Sequence, residues 1–416
     1  MKKLITIIGA LVIALTLVNF QCNENIVEPP PGNPPGYQSD IPWPSLADSP
    51  WPIYRGDPFG RGLSNGLGAN SGIIDWEIDT VMALSGITLG EDSTVYVCIR
   101  SILNSDIEGL AAYDISGNLK WFYQYFIAYP SISTPIIIND GSVIISFPAD
   151  KKLCSVKNGN LIWEIELNNG VVQSGMNISD DGKLMCVGVP NNSFYAINKE
   201  GNINWEMKSD LLAGGEFSGI SISPDSKSLY IPGRSNAIIA IDLLNKMIKW
   251  SYGNDRGVVQ PLIDSESNIY LITKNENGEG VLHSITPGGE VRWFYELGPF
   301  SYVENYNHYA MDRNGNLYLG LSPLTSLDYE GKLRWEFQPA SGYLSINSPI
   351  SIDNNNRIYF SSEEDNQHYL YCINDEGQEL FRIMVNATFQ YGFYSPAIGY
   401  NSTFIAKDRG KIWRIK

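Results

Sequence analysis

Histidine and cysteine, which most often supply nucleophiles, general bases and metal ligands, are few and scattered in this chain of 416 residues. The three histidines, His283, His308 and His368, stand apart from one another, so neither a metal site nor a Ser-His-Asp arrangement is indicated. Four cysteines lie in strand-like runs without metal-ligand spacing, which predicts buried thiols rather than a disulfide framework. The sequence therefore predicts no catalytic residue, no metal and no cofactor. These cysteines are Cys98, Cys154, Cys186 and Cys372.

Clusters of Asp and Asn offer the oxygen ligands that calcium prefers. Two of them are "DRNGN" from Asp312 and "DNNNR" from Asp353. Similar clusters precede a β-rich run in most parts of the chain, and Asp and Asn side chains at such places cap tight turns. We interpret the clusters as turns rather than as calcium sites.

Aromatic residues could supply recognition of a protein or of a small ligand. They concentrate in four variable segments, residues 123–131, 298–310, 340–348 and 386–395. His308 stands where corresponding segments have small residues such as Ser-Pro, so it either plugs a central channel or belongs to a ligand site. The candidate binding residues are Tyr302, Tyr306, His308, Tyr343, Phe389 and Tyr391.

The elements that position these residues follow from a repeated phrase. "GNLKW", ending at Trp121, returns in variant forms every 42–46 residues. An acidic turn, a β-rich run and a run with a small central residue recur in step, which gives four short strands, A to D, per repeat. This is the length and pattern of one β-propeller blade. The residues that end strand D, each predicted to dock against the neighbouring blade, are Trp76, Trp121, Trp163, Trp205, Trp250, Trp293, Trp335 and Phe381.

The strand count predicts a closed ring of eight blades. Residues 72–79 have the pattern of a strand D with no strands A to C before it, and the chain ends on a strand C with no D after it. If residues 72–79 complete the last blade, no sheet edge stays free. We therefore predict an all-β, eight-bladed propeller over residues 43–416. The A–B and C–D turns share one end of the ring, and the D–A and B–C connections, with the aromatic segments, share the other.

The first 42 residues have a different character. Two lysines precede an apolar run over residues 4–18, which is typical of a secretory signal and too short for a spanning helix. Cys22 follows where a lipoprotein cysteine would lie, although the residues before it depart from the usual lipobox. We expect a signal peptide at residues 1–21, lipidation of Cys22 and an extended Pro-rich tether over residues 22–42. An uncleaved or conventionally cleaved signal is the alternative.

The charge of the chain restricts its partners. The formal net charge is −16 at pH 7, which repels phosphate backbones and argues against nucleic acid. We expect an exported monomeric propeller, anchored at an outer membrane and facing either the periplasm or the cell surface.

Two phrases, "LAAYDISGNLKW" and "IIAIDLLNKMIKW", resemble the tryptophan-docking repeat of quinoprotein (PQQ-like) β-propellers. The segment "WPIYRGDPFGRG" over residues 51–62 is similar to the opening of such proteins, so the resemblance covers residues 51–416. In size and architecture the chain looks most like the lipoprotein propeller of the outer-membrane β-barrel assembly machinery. The family's enzymes hold pyrroloquinoline quinone over calcium under two adjacent cysteines, and no two cysteines are adjacent here.

Three functional hypotheses follow. The first is a non-enzymatic, lipid-anchored scaffold that binds envelope proteins through the aromatic end of the ring. The second is a surface receptor that stacks a carbohydrate or other small ligand on the aromatic loops. The third, a remote one, is a quinone-dependent dehydrogenase.

Overall fold

Eight antiparallel sheets follow one another along the chain and form the ring of an eight-bladed β-propeller, as the sequence predicts. Each sheet has four strand positions, A innermost to D outermost. The fold belongs to the compact unit Pro35–Lys416. The computed structural model describes residues 33–104, 106–125, 133–147, 151–167, 176–188, 193–212, 219–233, 236–257, 259–299, 309–339, 344–346, 348–365, 367–386, 396–408 and 410–416.

The first four blades are meanders in chain order, and strand A of blade 1 is interrupted. A 3-10 turn, Asp210–Leu212, follows blade 3. The strands are Val81–Ala83 with Thr88–Leu89, Val95–Ser101, Glu108–Tyr113 and Leu119–Gln124 in blade 1; Ile136–Ile137, Val143–Phe147, Lys152–Lys157 and Asn160–Glu166 in blade 2; Met176–Ile178, Leu184–Gly188, Ser193–Ile197 and Ile203–Lys208 in blade 3; and Ser221–Ile222, Ser228–Pro232, Ile238–Asp242 and Met247–Tyr252 in blade 4.

The last four blades keep the same order, with strand A interrupted in blades 5 and 7. The strands are Arg256–Gly257 with Leu262–Ile263, Ile269–Lys274, Glu279–Ile285 and Val291–Pro299 in blade 5; Tyr309–Met311, Leu317–Leu319, Leu324–Leu327 and Leu333–Phe337 in blade 6; Ser345–Ile346 with Ser351–Ile352, Ile358–Glu364, Gln367–Ile373 and Glu379–Val385 in blade 7; and Ala397–Ile398, Phe404–Lys407 and Ile412–Ile415, completed by Ile74–Ile78, in blade 8.

Strands A to C are packed between neighbouring blades, and this explains their nearly continuous hydrophobic sequences. Every residue of Glu108–Tyr113 and of Val143–Phe147 is buried, whereas the outer strand Ile203–Lys208 alternates between exposed and half-buried residues. The hydrophobic clusters join adjacent blades: Phe194 of blade 3, for example, packs with Leu229 and Ile239 of blade 4. The core therefore lies mainly between blades.

The prediction that the N-terminal outer strand closes the ring is confirmed. Ile74–Ile78 pairs antiparallel with Ile412–Ile415. Where a C–D turn would join these strands, the Ser71 amide donates to the Lys416 carbonyl at 3.0 Å, and the Lys416 amide donates to the Ile73 carbonyl at 3.0 Å. Three ion pairs add to this contact: Lys411 with Glu77 at 2.7 Å, Arg414 with Asp75 at 2.9 Å and Lys416 with Asp75 at 2.5 Å.

The residues that end strand D lie at contacts between blades. The Trp163 indole Nε1 donates to the Lys199 carbonyl of the next blade at 2.7 Å, and its ring lies against Gly201. Gly201 has φ +84°, and a Cβ there would come within 2.7 Å of the ring, so this turn position requires glycine. Trp76, Trp250, Trp293 and Trp335 make the same hydrogen bond to the next blade.

The remaining three aromatic residues, Trp121, Trp205 and Phe381, reach the neighbouring blade by packing. Trp121 lies beside Gly159 of blade 2, and Trp205 packs with Leu243 of blade 4. Phe381 lies on Gly72, the residue next to the chain-end junction, where a turn glycine would otherwise be.

A β-bulge interrupts strand D in every blade, just before the tryptophan or phenylalanine. In blade 6, for example, the register shifts between Ser326 and Leu327 as strand D passes from Leu333 to Trp335. The bulged residue, Arg334, then reaches the hydroxyls of Ser326 at 2.9 Å and Tyr318 at 3.3 Å. The bulge thus lets Arg334 bind strands B and C of its own blade while the next residue, Trp335, contacts blade 7.

Aspartates at the A–B turns accept hydrogen bonds from the turn itself. Oδ1 of Asp312 accepts from the amides of Asn314 and Asn316, and its Oδ2 accepts from the Tyr318 hydroxyl at 2.7 Å. Asp353 binds its own turn in the same way. These are the turn bonds that the sequence interpretation assigns to the Asp and Asn clusters. Burial raises the pKa of Asp312 despite these donors.

Candidate functional site

The opening segment, residues 36–70, covers the end of the ring that carries the A–B turns. Its backbone carbonyls accept hydrogen bonds of 2.7–3.1 Å from amides near the end of strand A in six blades. It therefore occupies the rim of the central channel at that end. The bonds run from Leu89 to Trp51, Ile137 to Pro52, Ile222 to Pro58, Ile263 to Phe59, Met311 to Arg61 and Ile352 to Gly62.

The first part of the opening segment crosses the A–B turns from blade 6 back to blade 1. The Gln38 amide donates to the Arg313 carbonyl of blade 6 at 2.7 Å, and the Ser39 amide donates to Ser265 Oγ of blade 5 at 2.9 Å. Ser45 Oγ donates to the Ser179 carbonyl of blade 3 at 2.6 Å. Residues 36–42, which the sequence assigns to the tether, are thus held on blades 5 and 6.

A buried arginine, Arg55, holds the opening segment in place. Arg55 Nε donates to the Gly60 carbonyl at 2.8 Å, a second guanidinium nitrogen donates to the Tyr309 carbonyl, and the guanidinium lies 5.5 Å from the centre of the Tyr309 ring. Burial lowers the pKa of Arg55, against the opposing effect of nearby Tyr54, Tyr309 and Asp57. Because a buried guanidinium needs such partners, this part of the opening segment is a fixed element of the fold.

The opposite end of the ring carries the D–A and B–C connections, because the strands alternate in direction. The candidate binding residues of the sequence analysis belong to three D–A connections at that end, and all of them lie outside the described residues: Tyr302, Tyr306, His308, Tyr343, Phe389 and Tyr391. Cys22 also lies outside the described part of the chain.

The B–C loop of blade 1 is a described part of this end, and it exposes apolar side chains that the sequence analysis did not single out. Leu103 is 82% exposed, and Ile102 and Ile107 are also exposed. Hydrogen bonds hold the loop backbone in place. Ser101 Oγ accepts from the Leu103 amide at 3.2 Å, and the Ile107 amide donates to the Asn104 carbonyl at 3.0 Å. Exposed apolar side chains on a fixed loop are typical of interaction surfaces.

Blade 7 carries an aromatic and arginine pair on its two outer strands, Tyr369 on strand C and Arg382 on strand D. The Arg382 guanidinium lies 5.4 Å from the centre of the Tyr369 ring, and its Nη1 is 3.6 Å from the buried Glu364 carboxylate. Tyr and Arg are enriched among residues that dominate binding energy at protein interfaces. Sequence repeats did not reveal this pair because its members lie on different strands.

The histidines and cysteines show no catalytic arrangement in the described part of the chain. Half-buried His283 contacts the hydroxyls of Tyr252 and Thr273, each at 3.1 Å, and burial lowers its pKa. Burial raises the pKa of the Cys98 and Cys372 thiols to about 12. The prediction of buried free thiols is confirmed for Cys98, Cys154 and Cys372.

Among the described residues, no three His, Cys, Asp or Glu side chains are grouped so that they could hold a metal ion. None of the helices there has the length and apolar character of a membrane span.

The repeat, the ring and the docking tryptophans define a PQQ-like β-propeller. A sequence profile whose family is described as outer membrane protein assembly factor BamB matches residues 67–304. This is more than half of the chain, and the protein therefore belongs to this family. A search of curated protein sequences gave no match.

Solved structures show the same fold at low sequence identity. BamB from Moraxella catarrhalis is 15% identical, with a TM-score of 0.60 over 82% of this chain and 96% of that chain. A europium-containing methanol dehydrogenase is 13% identical, with a TM-score of 0.62 over 86% of this chain and 89% of that chain. Sqt1 from Saccharomyces cerevisiae is 14% identical, with a TM-score of 0.62 over 84% of this chain and 99% of that chain.

Proposed function

We propose that this protein is a non-enzymatic scaffold of the bacterial cell envelope that binds another protein through the D–A and B–C end of its ring. The observation that carries the proposal is the opening segment, which covers the rim of the channel at the other end. A large partner that needs the centre of the ring has access only from the D–A and B–C end.

The chemistry of that end suits a protein partner. Leu103 is exposed in the B–C loop of blade 1, and Arg382 packs against Tyr369 on the outer strands of blade 7. Protein interfaces concentrate their binding energy in a few such aromatic, arginine and apolar anchors surrounded by nearly neutral residues. Tyr302, Tyr306, His308, Tyr343, Phe389 and Tyr391, which belong to the D–A connections of the sequence, complete the proposed face.

The family and the N-terminal sequence support the proposed partner and location. Its description as an outer membrane protein assembly factor supports a partner that takes part in the assembly of outer membrane proteins. The N-terminal sequence supports export and a lipid anchor at Cys22, since a soluble propeller on a tether has no membrane affinity of its own.

Two leucines at opposite ends of the ring provide a matched test. Leu103 is 82% exposed in the B–C loop of blade 1, and Leu244 is 79% exposed in the C–D turn of blade 4. Partners are first identified by crosslinking mass spectrometry on native membranes, and affinity is then measured for Leu103→Ser and Leu244→Ser.

We expect Leu103→Ser to weaken partner binding by about 1 kcal/mol or more and Leu244→Ser to leave it unchanged. The pair Tyr302→Ser with Tyr391→Ser should cost at least about 2 kcal/mol, as for anchor residues. Asp181, an exposed turn residue at the covered end, serves as a charge-reversal control; Asp312 does not, because it is fully buried. If Leu244→Ser or the Asp181 reversal weakens binding and Leu103→Ser does not, the partner binds the covered end and the proposal is wrong.

A further inference from the structure

The opening segment leaves an open pocket on the end of the ring that it otherwise covers. The pocket has a volume of about 700 Å³ and lies between the A–B turns of blades 7, 8 and 1. Its size is within the roughly 300–1,000 Å³ of small-molecule sites. We call it the seam pocket. Asn65, Leu67, Glu91, Asp92, Ser93, Asn354, Asn355, Tyr400 and Asn401 line it, together with the backbone of Gly66.

The seam pocket exists because the two passes of the opening segment do not cover the whole ring. Residues 36–49 cross the turns from blade 6 back to blade 1, so the turns of blades 7 and 8 are left to the end of the segment. The backbone of Gly66 and Leu67 lies between the blades and forms the floor of the pocket rather than a lid.

The floor is a packed part of the fold. The carbonyl of Gly66 accepts from the Asn354 amide at 3.0 Å, and the carbonyl of Leu67 accepts from the Thr403 amide at 3.1 Å. A Cβ on Gly66 would lie 2.3 Å from the carbonyl oxygen of Gly399, so only glycine allows this approach. The walls are hairpin turns of three blades, and the pocket is therefore formed before any ligand arrives.

Carboxamide groups dominate the walls. Asn65, Asn354, Asn355 and Asn401 are exposed, and their side chains make no hydrogen bond to the described protein. Each carboxamide offers two N–H donors and one carbonyl acceptor. A ligand whose groups both donate and accept matches this lining, and the hydroxyl groups of a carbohydrate do so.

The charges of the pocket exclude anionic ligands. Glu91 and Asp92 are the charged residues of the lining, and it contains no lysine or arginine. Asp92 is already engaged, since its Oδ2 accepts from Lys120 Nζ at 2.6 Å and its Oδ1 accepts from the Thr94 amide at 3.1 Å. One remaining carboxylate is too few for calcium, which takes 6–8 oxygen ligands, usually with several carboxylates.

One aromatic ring completes the lining. Tyr400 is half-buried, and burial together with the Asp48 and Glu91 carboxylates raises its pKa, so its hydroxyl stays protonated. The ring can pack against the C–H face of a sugar, while Leu67 is the other apolar contact. A pocket with so little apolar surface suits a hydrated, polar ligand better than an apolar peptide.

We propose that the seam pocket binds a neutral oligosaccharide, with Tyr400 packed against a sugar ring and the four asparagines bonded to its hydroxyls. The open side of the pocket lets the rest of a sugar chain extend into solvent. This inference does not depend on the proposed protein-binding end, which lies on the opposite side of the ring.

Isothermal titration of the full chain with maltotriose, cellotriose and chitotriose tests the inference, with trigalacturonate as the anionic counterpart. We expect at least one neutral trisaccharide to bind and trigalacturonate to bind more weakly. Asn355→Ala should weaken binding about fivefold, as for one neutral hydrogen bond, and Tyr400→Ala about tenfold.

Asn314→Ala is the matched control, because Asn314 holds the same turn position in blade 6 and lies outside the pocket. It should bind the sugar as the unsubstituted protein does, and thermal unfolding checks that all three variants are folded. Absence of binding by every neutral trisaccharide up to about 10 mM, tighter binding of trigalacturonate, or equal affinity of Asn355→Ala and Tyr400→Ala with Asn314→Ala would overturn the proposal.

Discussion

Replacing Trp76 by alanine tests whether the contact between the two ends of the propeller holds the ring closed. The indole Nε1 donates to the Ile115 carbonyl of blade 1 at 2.9 Å, while its own strand completes blade 8. Withdrawing roughly 150 Å² of a tryptophan from water is worth about 3–4 kcal/mol at roughly 25 cal/mol per Å², and the hydrogen bond adds about 1 kcal/mol. Because water can reach the Ile115 carbonyl after truncation, we expect a net cost of about 3 kcal/mol.

Trp335→Ala is the matched control. Its indole makes the same 2.9 Å bond, to the Asp375 carbonyl, but between blades 6 and 7, each of which is formed by one stretch of the sequence. The assay is hydrogen exchange by mass spectrometry, in which a loss of about 3 kcal/mol speeds local opening roughly 100-fold.

For Trp76→Ala, exchange should rise both in blade 8, over residues 397–415, and in blade 1, over residues 81–124. For Trp335→Ala it should rise in blades 6 and 7. If exchange in Trp76→Ala rises in blade 1 alone, Ile74–Ile78 does not hold the last blade and the reasoning is refuted.

Three other predictions concern the closing strand, a turn glycine and the anchor. The Lys411 hydrogen bond lowers the pKa of Glu77 below its usual value of about 4.3. Glu77→Gln should therefore cost about 1 kcal/mol in urea unfolding at pH 7, and this cost should shrink as the pH falls below about 4.3 and Glu77 becomes protonated in the folded protein; a cost that does not shrink on acidification would contradict this. Gly331 and Gly141 have φ of +80° and +82°, but a Cβ at Gly331 would lie 2.7 Å from the Trp293 ring and one at Gly141 would meet nothing within 4 Å. Gly331→Ala should therefore lower the free energy of unfolding by about 1–2 kcal/mol more than Gly141→Ala, and equal losses would show that the ring moves aside. Cys22→Ser should release the propeller from membranes into the soluble fraction; retention after a high-salt wash would mean that Cys22 is not the anchor.

The sequence predicts the ring well because every blade meets the same packing requirements with the same kinds of residue. Strands between neighbouring blades need continuous apolar residues, and the outer strand needs one large side chain that reaches the next blade. The period, the tryptophans and the unmatched strand at residues 72–79 therefore determine eight blades and their closure. The sequence also shows small residues at the start of strand A, and the structure gives one reason for them. Ser85, Ser133 and Ser348 each accept a hydrogen bond through Oγ from the amide 13 residues later in strand B.

Features that depend on pairing or on a non-repeated segment were not predictable. The bulge before each tryptophan is a backbone irregularity, and the side-chain sequence of strand D carries no separate mark for it. Residues 36–70 are rich in Pro and Gly and show no strand periodicity. The sequence therefore assigns residues 36–42 to the tether, and the similarity of residues 51–62 to the opening of quinoprotein propellers does not give their position on the ring. They are held in place because their carbonyl groups accept hydrogen bonds from amides of strand A. Every residue has a carbonyl whatever its side chain, so the side-chain sequence does not reveal these bonds.

The opening segment also explains why the repeat predicts the fold better than the site. Eight similar blades alone would present eight similar sets of turns at each end, with little to distinguish one binding position from another. Residues 36–64 break this symmetry by covering the turns from blade 6 to blade 1 and the rim of the channel, and they leave the turns of blades 7 and 8 accessible. At the other end, the D–A connections differ in sequence from blade to blade. The two proposed binding positions therefore differ from the equivalent positions of other blades through segments that do not repeat.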